Sequence, residues 1–178
     1  VTTALEEKET EKEEPPEKQY RIGERGAAGG IIFYDKGSYS DGWRYLEAAP
    51  KSTEWSYKKW GAYDKTIGVI ATEVGSGKKN TEIIVDFLNS NGVLNTAAQL
   101  CDSLSHGGYE DWFLPSKDEL NLMYQNLKQQ GYSNFGEDFY WSSSENGGYY
   151  SWLQYFSSGF QDYGTKNLSI RVRAVRAF

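Results

Sequence analysis

Between Phe139 and Ile170 the chain carries only three charged side chains, Glu145, Asp162 and Lys166, set among aromatic residues interleaved with Ser, Gly, Asn and Gln. Residues 132–163 hold 12 of the aromatics of a 178-residue chain that has 14 Tyr, 8 Phe and 6 Trp. No helical period runs through this segment. Apolar and polar residues alternate, as they do in half-buried strands. About thirty residues with so many glycines cannot bury every ring. Trp141, Trp152 and Phe156 have the spacing of inward positions, which leaves Tyr149, Tyr150, Leu153, Tyr155, Phe160, Tyr163 and Leu168 for an outer face. Tyr mixed with Ser, Gly and Asn is the composition of antibody-type combining surfaces, where Tyr gives large contact at low entropy cost and the small polar residues adapt their hydrogen bonds. The same side chains suit stacking on sugars. A Gly-rich β-meander with ordinary surface tyrosines is the plain alternative.

The rest of the chain divides by composition. Residues 1–19 contain seven Glu, three Lys and the pair Pro15-Pro16. With almost no large apolar side chain, this stretch cannot offset its ordering entropy and reads as a disordered tether. A short solvated Glu/Lys helix ahead of the prolines is the structural alternative. Nothing in it resembles the apolar region of a secretion signal, so such a signal is cleaved, trimmed or never present. The folded body runs from Tyr20 to Phe178. Arg21-Ile22-Gly23 and Ile31–Tyr34 flank a Gly-rich turn and read as a β-hairpin, followed by a strand at Trp43–Glu47. Gly75–Lys79 has Thr72 and Lys79 where a phosphate loop needs Gly and Ser or Thr, so it is a plain loop. Three helices follow: one capped by Asn80 or Thr81 and ended by Gly92, one starting at Asn95 or Thr96 and closed by His106, and one opened by the capping box Ser116–Glu119. Leu120, Met123, Tyr124 and Leu127 fall on one face of the third. The last segment, Ile170–Phe178, alternates as a strand. Strands at both ends with helices between them predict an α+β domain with its terminal strands paired in one sheet and a loop-rich C-terminal half.

Charge and composition exclude several functions. A net charge of −6 and a pI near 4.9 leave no basic face for nucleic acid or an anionic membrane. The mean hydropathy is −0.70, and no stretch nears the roughly 18 apolar residues of a membrane span. One Cys and one His give neither a disulfide framework nor a Cys-clustered zinc site. Cys101 lies on an apolar helical stripe with nothing basic beside it in sequence, which suits a buried hydrophobe better than a nucleophile. Glu110-Asp111 and Asp118-Glu119 are paired carboxylates, but at a loop and a helix start they suit solvation and capping better than glycoside hydrolysis. Arg171, Arg173 and Arg176 are too few for a nucleic-acid stripe and suit internal ion pairs. The chain therefore reads as a monomeric, non-catalytic binding protein with no cofactor and no metal.

The strings YRIGERGAAGGIIFYDKG, GWRYLEAAP, GGYEDWFLPSKDEL and WSSSE, with the terminal VRAVRAF, resemble the C-terminal domain family of Legionella collagen-like proteins. That family is similar to formylglycine-generating enzymes, a subclass of the C-type lectin fold. The resemblance spans residues 20–178 and implies a C-type lectin-like α+β domain, displayed outside a bacterial cell, with its ligand surface in the C-terminal half. The chain departs from its kin in two respects. Formylglycine-generating enzymes use a cysteine pair near their C-terminal end, whereas the only Cys here is Cys101, so that activity is not implied. The Glu-Pro-Asn and Gln-Pro-Asp triplets of calcium-dependent lectins are absent, since Pro occurs only at 15, 16, 50 and 115.

The chain also resembles the variable proteins of diversity-generating retroelements, in which Asn codons near the 3′ end are mutated at their adenines. Around Trp152, Gln154, Phe156, Gly159, Gln161 and Lys166 lie Leu153, Tyr155, Ser158, Phe160, Asp162, Tyr163, Gly164, Thr165, Asn167, Leu168, Ser169 and Ile170. Each of these twelve is reachable from an Asn codon by changing its adenines, and none is Lys, Glu, Gln, Trp or Met, which are not reachable. The resemblance implies a variable region at 146–171 whose ligand contacts are these twelve with Tyr149 and Tyr150. Tyr150, Tyr155, Phe160 and Tyr163 would act as apolar anchors. The ligand is a protein or a glycan. The expected location is the outer face of a bacterial outer membrane, held by a lipid anchor ahead of the tether, or secretion.

Overall fold

The computed structural model describes residues 18–132 and 134–178. The expected tether lies outside the described residues up to position 17. A three-stranded sheet is built from β1 (Ile31–Ser40), β2 (Trp43–Ala48) and β8 (Val175–Ala177), in the order β1-β2-β8. Asp41-Gly42 joins β1 to β2 with positive φ at both residues (52° and 84°), as a two-residue turn matched to strand twist requires. The Arg44–Asp35 ion pair at 2.8 Å clamps the same hairpin.

The hairpin expected around Gly26–Gly30 is reduced to one antiparallel bridge, Arg25 with Ile31. Ile22-Gly23 is turn, tied to the start of β1 by Gly23 N–H to Ile32 O and Ile32 N–H to Glu24 O. The Gly-rich turn instead wraps the buried carboxylate of Glu47, which accepts from Ala28 N–H at 3.0 Å. A Cβ on Gly26 would sit 1.8 Å from that carboxylate, so only glycine leaves it room.

The second sheet has the order β3-β7-β4-β5-β6, with β3 at Trp55–Lys58, β4 at Phe139–Asn146, β5 at Tyr150–Tyr155, β6 at Gln161–Thr165 and β7 at Ile170–Val172. The terminal strands do share a sheet, through Glu47 opposite Arg176. Ile170–Phe178, however, is two strands in two sheets. Arg173 marks the crossing: its guanidinium turns inward to Ala49 O and the Glu54 carboxylate, and the chain steps from β7 to β8 there. Burial alone would raise the Glu54 carboxyl, but Arg173, Lys51 and the Tyr140 hydroxyl outweigh it and hold the group below its usual range. All three terminal arginines are ion-paired, Arg171 to Glu54 and Asp138, Arg173 to Glu54, and Arg176 to Asp111.

Three helices lie between the sheet segments. Helix α1 (Gly77–Ser90) starts a turn earlier than its polar residues suggest, with Ser76 at the cap position. Asn80 and Thr81 are not caps. They are buried inside the helix, where Asn80 Nδ2 donates to Ala71 O and the Thr81 hydroxyl accepts from Leu114 N–H. Helix α2 (Ala97–Asp102) is capped by Thr96 with Gln99 and ends before His106, which instead pairs with Tyr109 across a turn. Helix α3 (Lys117–Met123) opens on the Ser116–Glu119 capping box and runs into a π-helical turn at Tyr124–Lys128. Its Leu120, Met123, Tyr124 and Leu127 are buried.

The five-stranded sheet separates two cores. Trp141 and Leu153, register partners on β4 and β5, pack with Trp60, Ile84 and Leu88 on one side. Tyr140 and Phe156 pack with α3, Phe33 and Leu46 on the other. Strand alternation then turns Trp152 away from the Trp141–Leu153 core, so Trp152 is half-buried on an outer face rather than inward.

Candidate ligand-binding face

On the outer face of β5 and β6 the rings form a continuous row. Tyr163 lies opposite Trp152, and their centroids are 5.7 Å apart. Tyr150 meets Tyr163 at 5.4 Å, Tyr149 meets Tyr150 at 6.5 Å, and Tyr63 meets Tyr149 at 5.4 Å. At the Trp152 end the Lys117 ammonium stands 4.1 Å from the indole centre. Tyr63, Tyr149, Tyr150 and Tyr163 are each between 41% and 52% exposed, so each ring spends half of its surface on its neighbours and offers the rest to solvent. Successive rings are steeply inclined, with interplanar angles of 63° to 88°.

A buried ion pair fastens this row from beneath. Lys166 Nζ and Glu145 Oε1 are 2.6 Å apart, and neither side chain has any exposed surface. The carboxylate also accepts from the N–H groups of Ile67 and Gly68, and Lys166 donates to Lys65 O. Its ammonium lies 4.7 Å from the centre of the Trp60 ring. Desolvation pulls the Lys166 ammonium below its usual pKa, and the Glu145 carboxylate pulls it back up. Lys166 O receives the N–H groups of Trp60 and Gly61, while Lys166 N–H reaches Tyr149 O. The segment 60–69, which carries Tyr63, is thereby locked to β4–β6.

The fourteen residues expected to touch a ligand do not form one surface. Tyr149, Tyr150, Tyr163 and Thr165 share the row, Thr165 as the register partner of Tyr150. Phe160 is 62% exposed at the β5–β6 turn with Ser158, whose hydroxyl accepts from Phe160 N–H. Leu153 is a correction: it is buried against Trp141 and cannot reach a ligand. A Cβ on Gly164 would lie 2.6 Å from Leu153 and 2.9 Å from Leu168, so Gly164 faces that same inner side. Tyr155 is also displaced from the row. It stacks on Phe139, its partner on β4, at 4.6 Å and 25°, and alternation puts it on the sheet face opposite Trp152 and Tyr163. Asp162 spends its carboxylate on Tyr163 N–H at 2.8 Å, at the outer edge of the sheet. Asn167, Leu168 and Ser169 are exposed, and Ser169 and Ile170 border a recess with Tyr57 and Arg171. Sequence reasoning missed Tyr63 and Lys117. Neither carries a local signal, because the chain crossing that unites them with β5 and β6 is set by distant contacts.

Three of the groups weighed for chemistry, Cys101, Glu119 and Asp111, are engaged otherwise. Burial pushes the Cys101 thiol well above its usual pKa, as suits an inert core residue. Glu119 is buried and accepts from Ser116 N–H and Gly75 N–H, while desolvation pushes its carboxyl up to about 7. Asp111 is held by Arg176. Among the described residues no group of three or more His, Cys, Asp or Glu is placed to hold a metal, and no helix is long and apolar enough to cross a membrane.

Fold and face together define an α+β domain that presents an aromatic sheet surface on a rigid two-core scaffold. The sequence profile of the Lcl C-terminal domain, the C-terminal domain of Legionella collagen-like proteins, matches residues 51–176, and the chain belongs to that family. Among curated proteins no sequence matches the chain. A fimbrial protein from Bacteroides ovatus has a similar solved structure, with a TM-score of 0.54 at 17% identity over 76% of this chain and 36% of that one. At that identity the likeness is one of fold alone, and the chain spans well under half of the fimbrial protein's length.

Proposed function

We propose that this chain is a non-catalytic ligand-binding module of the C-type lectin-like type, displayed at a bacterial cell surface, and that the aromatic row from Tyr63 to Trp152 is its contact with a protein ligand. The carrying observation is the row itself: half-exposed tyrosines in mutual contact, backed by a buried ion pair rather than by mobile loops. Such a surface offers large amphipathic contact whose ordering cost is already met. The steep inclination of successive rings favours a protein over a polysaccharide, because a sugar chain stacks along ring faces that lie roughly parallel. Membership of the Lcl family supports surface display, and the attachment in this reading is a lipid anchor ahead of the tether.

Diversification of residues 146–171 is the finer part of this reading. Of the twelve adenine-reachable positions only Leu153 is buried, whereas Gln154, Phe156 and Lys166 between them have no exposed surface. Most positions free to change would thus lie outside, with Leu153 and Gly164 turned inward, and of the six positions that must stay, Gln154, Phe156 and Lys166 would lie in the core.

The test is a binding panel of glycans and extracellular proteins probed with the chain and with its Tyr150→Ala/Tyr163→Ala variant. The reading expects capture by protein targets that the double variant loses, with no sugar class recognised. Recognition of one sugar class would replace it with a fixed-specificity polysaccharide adhesin on the same scaffold. Turnover of any glycan, lost in Glu110→Gln, would make the chain a hydrolase instead; Glu145 is buried in its ion pair with Lys166 and cannot reach a glycan.

A further inference from the structure

We infer that the ligand face has a constant part lying outside residues 146–171, with Tyr63 at one end of the row and Lys117 at the other, and that Lys117 takes an acidic group of the protein partner. This rests on the reading of the row as the ligand face and states what that face demands of every partner.

Tyr63 reaches the row from the segment between β3 and α1. Its ring stands edge-on to Tyr149 at 5.4 Å, and it remains 46% exposed. Its place does not depend on the identity of any exposed residue of the region 146–171. It is set by Trp60 N–H and Gly61 N–H to Lys166 O, by Lys166 Nζ to Lys65 O, by Ile67 and Gly68 N–H to the Glu145 carboxylate, and by Trp60 Nε1 to Ser142 O. All of those partners are backbone atoms or the fully buried ion pair. Exchange of the outward side chains would leave Tyr63 where it is.

Lys117 is fixed in the same manner. It is the first residue of α3. Its N–H donates to the Ser144 hydroxyl, and its carbonyl accepts from the side-chain amide of Gln161. The ammonium rests over Trp152, and among the described residues no carboxylate lies within ion-pairing distance of it. A partly buried cation on an indole face, with its donors unspent, complements a carboxylate that arrives with a ligand. The partner is therefore a protein surface that lays an apolar patch across Tyr149, Tyr150 and Tyr163 and brings an Asp or Glu to Lys117.

The experiment displays the full chain on phage with positions 149, 150, 158, 160, 162, 163, 165 and 167 randomised and selects on ovalbumin, an acidic protein. Several independent binders are then carried into Tyr63→Ala and Lys117→Met, with Tyr57→Ala as a remote exposed control. The inference expects Tyr63→Ala to weaken most binders by about ten-fold, and Lys117→Met to weaken them and to flatten their salt dependence. Tyr57→Ala should change nothing, and melting temperatures should stay within a few degrees. Binders that tolerate both substitutions within about two-fold would overturn the constant rim while leaving the binding face intact. If no binder emerges from the library, the row is not a ligand face and this inference falls with it.

Discussion

Lys166→Met should be among the most damaging single changes in the chain. Its ammonium and the Glu145 carboxylate are 2.6 Å apart with no exposed surface on either side chain. Replacing the lysine leaves a buried carboxylate with only the amides of Ile67 and Gly68 for compensation. Breaking one side of a buried pair costs about 3–5 kcal/mol. In a domain of this size each kcal/mol moves the melting temperature by about 2–4 °C, so a fall of about 6–20 °C is expected. The double variant Glu145→Gln/Lys166→Met removes both charges and keeps an acceptor for one of the two amides. It should recover about half of the loss or more. Equilibrium unfolding in urea of the wild type, both single variants and the double variant closes the cycle. A Lys166→Met variant within about 1 kcal/mol of wild type, or a cycle with no coupling, would refute the claim that this pair anchors the segment carrying Tyr63.

The pH dependence of stability carries the signature of Glu119. Burial lifts its carboxyl from 4.5 to about 7, so the folded chain holds that proton more tightly than the unfolded chain does, and stability falls as pH rises through that window. Glu119→Gln should lack this component. Urea midpoints measured between about pH 5 and 8 test it, and equal slopes in both proteins would contradict the assignment. Tyr150→Ala/Tyr163→Ala should melt within a few degrees of wild type, because both rings are about half exposed at 41% and 48%; a large drop would make them structural. Gly159→Ala should be destabilised by about 1–3 kcal/mol, since its Cβ would stand 2.2 Å from the Tyr124 ring at a backbone φ of +80°. Chemical unfolding of that variant checks it, and a neutral result would mean that the β5–β6 turn yields easily.

What could be read from the sequence was what short-range chemistry sets. Ser116 with Glu119 three residues on is a complete instruction for a helix start, and the structure follows it. The terminal arginines, too few for any polyanion, are ion-paired as expected. Legibility failed where a distant group redirected a local signal. Asn80 and Thr81 look like caps, yet Ala71 O and Leu114 N–H claim their side chains inside the fold. The turn at Gly26–Gly30 looks like that of a full hairpin, yet it closes around Glu47 and leaves only the Arg25–Ile31 bridge. Spacing alone points Trp152 inward, but the register of β4 against β5 puts Leu153 there. For the proposed ligand face, composition points to β5 and β6. Tyr63 and Lys117 depend on long-range contacts, among them a pairing of Glu145 with Lys166 across 21 residues, which no local pattern announces.

The most direct test of the account is deep sequencing of the 3′ end of this coding region across many cells of the source organism. The account predicts substitutions at template adenines in codons between Tyr149 and Ile170, concentrated at outward positions such as 150, 158, 160, 163 and 167. Codons for Trp152, Gln154, Phe156, Gly159, Gln161 and Lys166 should be unchanged, as should those for Tyr63 and Lys117. A uniform sequence, or changes scattered through the buried positions, would contradict it.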